Sequence, residues 1–194
     1  MRNKLFISFF LISIFTYGKY NIPELSNAYL ALQENPTSAN AQKAYFEAFP
    51  STWMDFYQTY GTPNENLYGQ YQEQIAYLGK LNTIKRDAYI DKLTKVVIGG
   101  FWDADATSEI RSLIKSEIDK GAAAFFAQLS KKIPAQQMLF WQFYWQSPIK
   151  KDSVKKHFEK LKQEAKAKYP KEVSTMGIAY KYFYGQLPMI SATK

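Results

Sequence analysis

The stretch PAQQMLFWQFYWQSP, residues 134–148, decides the fold. Leu139 and Phe143, Phe140 and Tyr144, and Trp141 and Trp145 are each four residues apart, the spacing that brings side chains together on one face of an α-helix. Only Met138, Gln142 and Gln146 share a stripe that is mostly polar. A helix apolar on nearly every side belongs in the interior, and Pro134 suits its first turn. The reading is therefore an interior helix around which the rest of the chain must pack.

Working outward, the same helical period recurs on both sides. Leu25, Ala28, Tyr29 and Leu32 form one apolar stripe, with Pro23 in a first turn; Ala41, Ala44, Tyr45 and Ala48 form a second; Trp53, Phe56, Tyr57 and Tyr60 form a third. Pro50 ends the second helix, and Ser51 is placed to cap the third. Tyr68, Tyr71, Ile75 and Leu78 make a fourth stripe, its tyrosines partly exposed because Gln70, Gln72 and Gln74 keep that helix wet. A fifth helix, over about 83–98, turns Ile90, Leu93 and Val97 inward and Lys85, Arg86, Lys92 and Lys95 outward. Ile110, Leu113, Ile114 and Ile118 mark a sixth, an alanine-rich segment a seventh, and Val154, Phe158, Leu161 and Ala165 the basic helix beyond the aromatic one. Val173, Met176, Tyr180 and Phe183 continue the pattern. No segment alternates as a strand does. The expectation is an all-α, single-domain irregular bundle of about nine helices over 19–194, with a short α-solenoid-like array of helix pairs as the alternative.

The first 18 residues read differently. Arg2 and Lys4 precede an apolar run from Leu5 to Phe15, and the small residues Thr16 and Gly18 follow. That is the plan of a secretory signal peptide, too short in its apolar part to span a hydrocarbon layer of roughly 30 Å. There is no cysteine, so neither disulfides nor thiol chemistry enter. Formal net charge is +8, but residues 19–110 carry 7 basic against 11 acidic side chains and residues 111–194 carry 16 against 6. A chain so polarised can steer an acidic partner to one end. An export signal argues against nucleic acid, and no cofactor motif is present.

Among the candidate sites, GGFWDADAT at 99–107 raises the sharpest question. Asp103 and Asp105 match a calcium loop only in part, because Thr107 and Ser108 stand where a third ligand and a glycine are needed. A joint between helices explains the stretch better: the glycines end one helix, Phe101 and Trp102 plug the corner, and Asp103 or Asp105 caps the next helix. A ligand-contact loop stays open. His157, the one histidine, has no cysteine or nucleophile elbow to pair with and reads as a boundary position. Two-carboxylate glycoside chemistry needs only a pair of acids, and Glu24, Glu34, Glu47, Asp55, Glu65 and Glu73 cannot be ranked by spacing. With 14 Phe, 15 Tyr and 4 Trp, rings fill the core first and supply binding anchors second. Tyr68 and Tyr71 are the candidate anchors. In the basic segment 150–171, Lys151, Lys155, Lys162 and Lys166 fall on one side, opposite Val154.

The glycine pair before WDAD, with the later FWQFYW, resembles segments of uncharacterised secreted, all-helical bacterial proteins. The resemblance covers less than a quarter of the chain. It implies fold and compartment and carries no known activity. The functional expectation is an exported envelope-space binding protein, most concretely an inhibitor or immunity-type protein that occludes a partner protein. Trp102, Asp103, Asp105, Tyr68, Tyr71 and the four lysines are the contact candidates. The expected partner is another, acidic protein; an anionic membrane surface is a weaker alternative. A cell-wall glycan hydrolase using two carboxylates and a structural or adhesion module of the envelope are the rival functions.

Overall fold

Phe140, Trp141, Phe143 and Trp145 are each 2% exposed or less, so the aromatic segment lies inside. The structure, a computed structural model, describes residues 20–61, 67–103, 105–146 and 152–185. Among these the chain forms ten α-helices: α1 (Ile22–Glu34), α2 (Ala39–Ala48), α3 (Trp53–Tyr60), α4 (Tyr71–Leu78), α5 (Arg86–Val96), α6 (Asp105–Lys120), α7 (Ala122–Leu129), α8 (Pro134–Trp145), α9 (Asp152–Ala165) and α10 (Pro170–Tyr184). The count is one above the nine expected, because Pro170 opens a helix of its own where the lysine-rich one stops. The expected signal segment lies outside the described residues. No helix among the described residues is long and apolar enough to cross a membrane.

One hydrophobic cluster runs through all ten helices. Beyond chain neighbours, each helix from α3 onward except α6's immediate partners packs chiefly on the next but one: α3 on α5, α4 on α6, α5 on α7, α7 on α9 and α8 on α10. The last of these is the most extensive. Trp145 meets the edge of Tyr180 at 5.5 Å, Tyr180 stacks on Phe158 of α9 at 4.1 Å, and the Tyr184 hydroxyl donates to the Trp145 carbonyl at 3.2 Å. Leu139 departs from its expected core position and is 39% exposed. The polar residue inside is instead Gln137, whose amide donates to the Lys132 carbonyl at 3.0 Å.

The two glycines of the joint do different work. Gly99 has φ +80, a conformation that costs any side chain of L configuration. Gly100 lets the backbone approach the core: an added Cβ would lie 2.8 Å from both Phe143 and Trp53. Phe101 then lies against Trp53 and Tyr57 at 5.2 and 5.3 Å, plugging the corner from outside while remaining 46% exposed.

Four other expectations need correction. Thr52, not Ser51, caps α3, accepting from the Asp55 amide at 3.2 Å. On α2 the buried side runs through Gln42 and Tyr45 while Ala44 faces out. Gln74, expected to be wet, is fully buried: its carbonyl oxygens accept from the Tyr45 and Tyr60 hydroxyls at 2.7 and 2.6 Å. Lys92 likewise turns inward, to the end of α2. Its ammonium donates to the carbonyls of Phe46, of Glu47 at 3.3 Å and of Phe49 at 2.6 Å, acceptors that a helix C-terminus leaves unpaired. Burial pulls its pKa down to about 8, so it stays protonated at neutral pH.

Two substitutions test this packing. Gly100→Ala forces a methyl group against Trp53 and Phe143 and should cost about 1–3 kcal/mol. Lys92→Met leaves the α2 carbonyls without their donor and should cost about 1–3 kcal/mol as well. Urea denaturation at pH 7 measures both losses.

Candidate functional site

Helix α6 contributes to two cavities of opposite character. The smaller, about 150 Å³, holds Asp103 and Asp105 with the rings of Tyr57, Tyr60 and Tyr68. Asp105 opens α6 with φ +40, and its carboxylate accepts from the Tyr68 hydroxyl. That bond to the carboxylate raises the Tyr68 pKa, so the phenol stays a donor. Tyr71 leans on Tyr68 with ring centroids 5.8 Å apart. The fold thus brings together Tyr68, Asp103 and Asp105, with Tyr71 beside them. Trp102 stands apart from this group: its backbone N–H donates to the Gln146 side-chain oxygen at 2.8 Å. Among the described residues, no group of three or more histidine, cysteine or carboxylate side chains is placed to hold a metal ion.

The larger cavity, about 350 Å³, draws on α6 residues further along the helix. Arg111 and Lys115 come to it from successive turns of α6, Tyr144 and Trp145 from α8, His157 from α9 and Tyr184 from α10. Arg111 donates to the backbone carbonyl of Gln146 at the end of α8. Lys115 is tied at 2.6 Å to Asp119 one turn on. His157 Nε2 lies 2.7 Å from the Tyr144 hydroxyl, and His157 Nδ1 lies 3.7 Å from an Asp119 oxygen. Burial pulls the His157 pKa below its ordinary 6.5; Asp119 opposes this, while Lys115 and Lys160 reinforce it. Burial, helped by Asp119, holds the Tyr144 hydroxyl well above its usual range. At neutral pH the pair is therefore a phenol donating to a neutral imidazole, with the Nδ1 proton turned toward Asp119.

This array was not legible in the sequence. His157 reads there as a boundary residue, and nothing in the spacing of 119, 144 and 157 says that three helices meet. The available signal was Arg111: a guanidinium at the flank of the Ile110, Ile114 and Ile118 stripe must find acceptors. His157 Nε2 is engaged by the Tyr144 hydroxyl in the cavity wall. The arrangement is suited to binding an anion against aromatic walls.

The lysine candidates lie along α9 and just past its end. Lys155 and Lys166 are exposed, and Lys162 is half-buried, 3.4 Å from Glu159 and 5.9 Å from the centre of the Phe158 ring; Lys151 lies outside the described residues. Glu24, Glu47, Asp55 and Glu73 engage Asn21, Lys43, Thr52 and Gln33 on the surface, and none of them lines either cavity. Comparison with protein-family models, with curated proteins and with solved structures returned no match.

A pH dependence follows from the lowered His157 pKa. Between 6.5 and the folded-state pKa below it, the unfolded chain binds a proton that the folded chain does not, so stability falls as pH falls through that window. Asp91, Glu117 and Asp119, held below their ordinary values by nearby cations against the opposing effect of burial, start to lose their contribution only near pH 4. Since His157 is the sole histidine, urea denaturation at pH 7 and pH 5 should show a loss in the wild type and little or none in His157→Gln.

Proposed function

We propose that this protein is an exported binding protein of the inhibitor or immunity type, which occludes an acidic partner protein at the face built by α6 and α9. One observation carries the reading: α9 presents Lys155 to solvent and Lys166 follows just past its end, while the same helix contributes His157 to the cavity of Arg111 and Lys115. Exposed lysines raise the rate of encounter with an acidic surface, and a partly desolvated arginine flanked by rings holds what arrives. The export step rests on the pattern of the first 18 residues. The rival hydrolase reading has Asp103 and Asp105 in one cavity, but Asp105 is already held by Tyr68.

The test uses the chain from Lys19 as bait against an envelope fraction at low and high salt, alongside the triple variant Lys155→Glu, Lys162→Glu, Lys166→Glu. A single acidic protein should be captured at low salt and released at high salt, and the triple variant should bind it about tenfold more weakly or worse. Turnover of an envelope glycan by the purified chain would sink the reading, as would capture indifferent to both salt and charge reversal.

A further inference from the structure

The larger cavity has the features of a ligand site in its own right, whatever protein docks beside it. Its volume of about 350 Å³ lies at the lower end of the range for small-molecule pockets. Lys115 is offset by Asp119 at 2.6 Å, and His157 is neutral at pH 7 because burial lowers its pKa. That leaves Arg111 as the net charge, one positive unit. Its guanidinium gives one bond to the Gln146 carbonyl and has five donors in all. Trp145, 2% exposed, forms part of the wall. Around the guanidinium the walls are Tyr144, Trp145, Tyr184 and Val154.

From this we infer that the cavity binds a small monocarboxylic acid with a flat, apolar body. A single positive charge matches a monoanion better than a phosphate dianion. A planar carboxylate fits the guanidinium fork, and the rings accept the rest of the molecule. The inference shares the Arg111 cavity with the protein-docking reading, but it concerns the isolated chain and does not involve the α9 lysines, so each can fail without the other.

The test is a titration of the ¹⁵N-labelled full chain with sodium benzoate, followed by the tryptophan indole N–H resonances, with Trp145 assigned from Trp145→Phe. Benzamide, benzylamine and inorganic phosphate serve as probes of charge and shape. Benzoate should saturate with a Kd of about 1 mM or tighter and shift the Trp145 indole signal, while the other three should bind at least about tenfold more weakly. Arg111→Met should weaken benzoate about tenfold or more. Because Arg111 also holds α8, that variant risks unfolding. Ser153→Trp, at an exposed residue on the rim, should block binding without altering the helical circular dichroism. The inference is overturned if benzoate does not saturate, if benzamide or phosphate binds as tightly, or if a folded Ser153→Trp binds benzoate normally.

Discussion

A helix that carries rings on nearly every side has to be surrounded, and the rest of this molecule follows from surrounding α8. Each buried aromatic ring removes some 150–250 Å² from water, about 4–6 kcal/mol at roughly 25 cal/mol per Å². Against that stands the cost of polar groups carried inside with the rings. The indole N–H groups of Trp141 and Trp145 are buried without acceptors, at about 1–3 kcal/mol each. The ring term wins at both positions, so α8 is placed by ring packing and its polar atoms accept what results. Gly100 belongs to the same constraint, since Phe143 and Trp53 close over the space a side chain would need.

The outer helices are fixed by a few well-satisfied polar ties, which matter in a chain without cysteine. Gln42, 2% exposed, donates to Pro36 and Asn82 and accepts from the Asn82 and Thr83 amides at 2.9 and 3.0 Å. One side chain thus locks the turn before α2 to the turn before α5. Glu117 does the same between α5 and α6, paired with Arg86 and with Lys120. Burial works against its charge, yet the hydrogen bonds from Lys120 and Arg86 prevail and hold its carboxyl below the ordinary value. Each tie joins segments that are distant in sequence, the role a disulfide plays elsewhere.

This division explains what the sequence revealed. Apolar spacing marked most of the helices that pack through rings and aliphatic groups, because burial of a stripe follows from its period. It failed at Gln42, Gln74 and Lys92, polar residues that go inside because a specific partner waits there. The partners are backbone carbonyls, amides and tyrosine hydroxyls of other helices, and no local pattern encodes them. The candidate site divides in the same way. Tyr68, Asp103 and Asp105 were candidates on local grounds, a tyrosine on a glutamine-rich helix and aspartates after a glycine pair, and they line one cavity. His157, Tyr144 and Arg111 were missed because their meaning arises only where α6, α8 and α9 meet.

Helix α6 turns the charge polarity of the chain into polarity in space. Asp105 stands at its start and Lys120 in its last turn, as the helix dipole favours. Arg111 lies six residues beyond Asp105, about 9 Å along the axis, and lines the basic cavity rather than the acidic one. What joins the two cavities is Gln146. Its side-chain oxygen accepts from the Trp102 backbone, which leads into the acidic cavity, and its carbonyl accepts from Arg111 in the basic one. Its own N–H closes α8 through the Gln142 carbonyl at 3.0 Å. Both cavity walls are therefore referenced to one residue at the end of the buried helix.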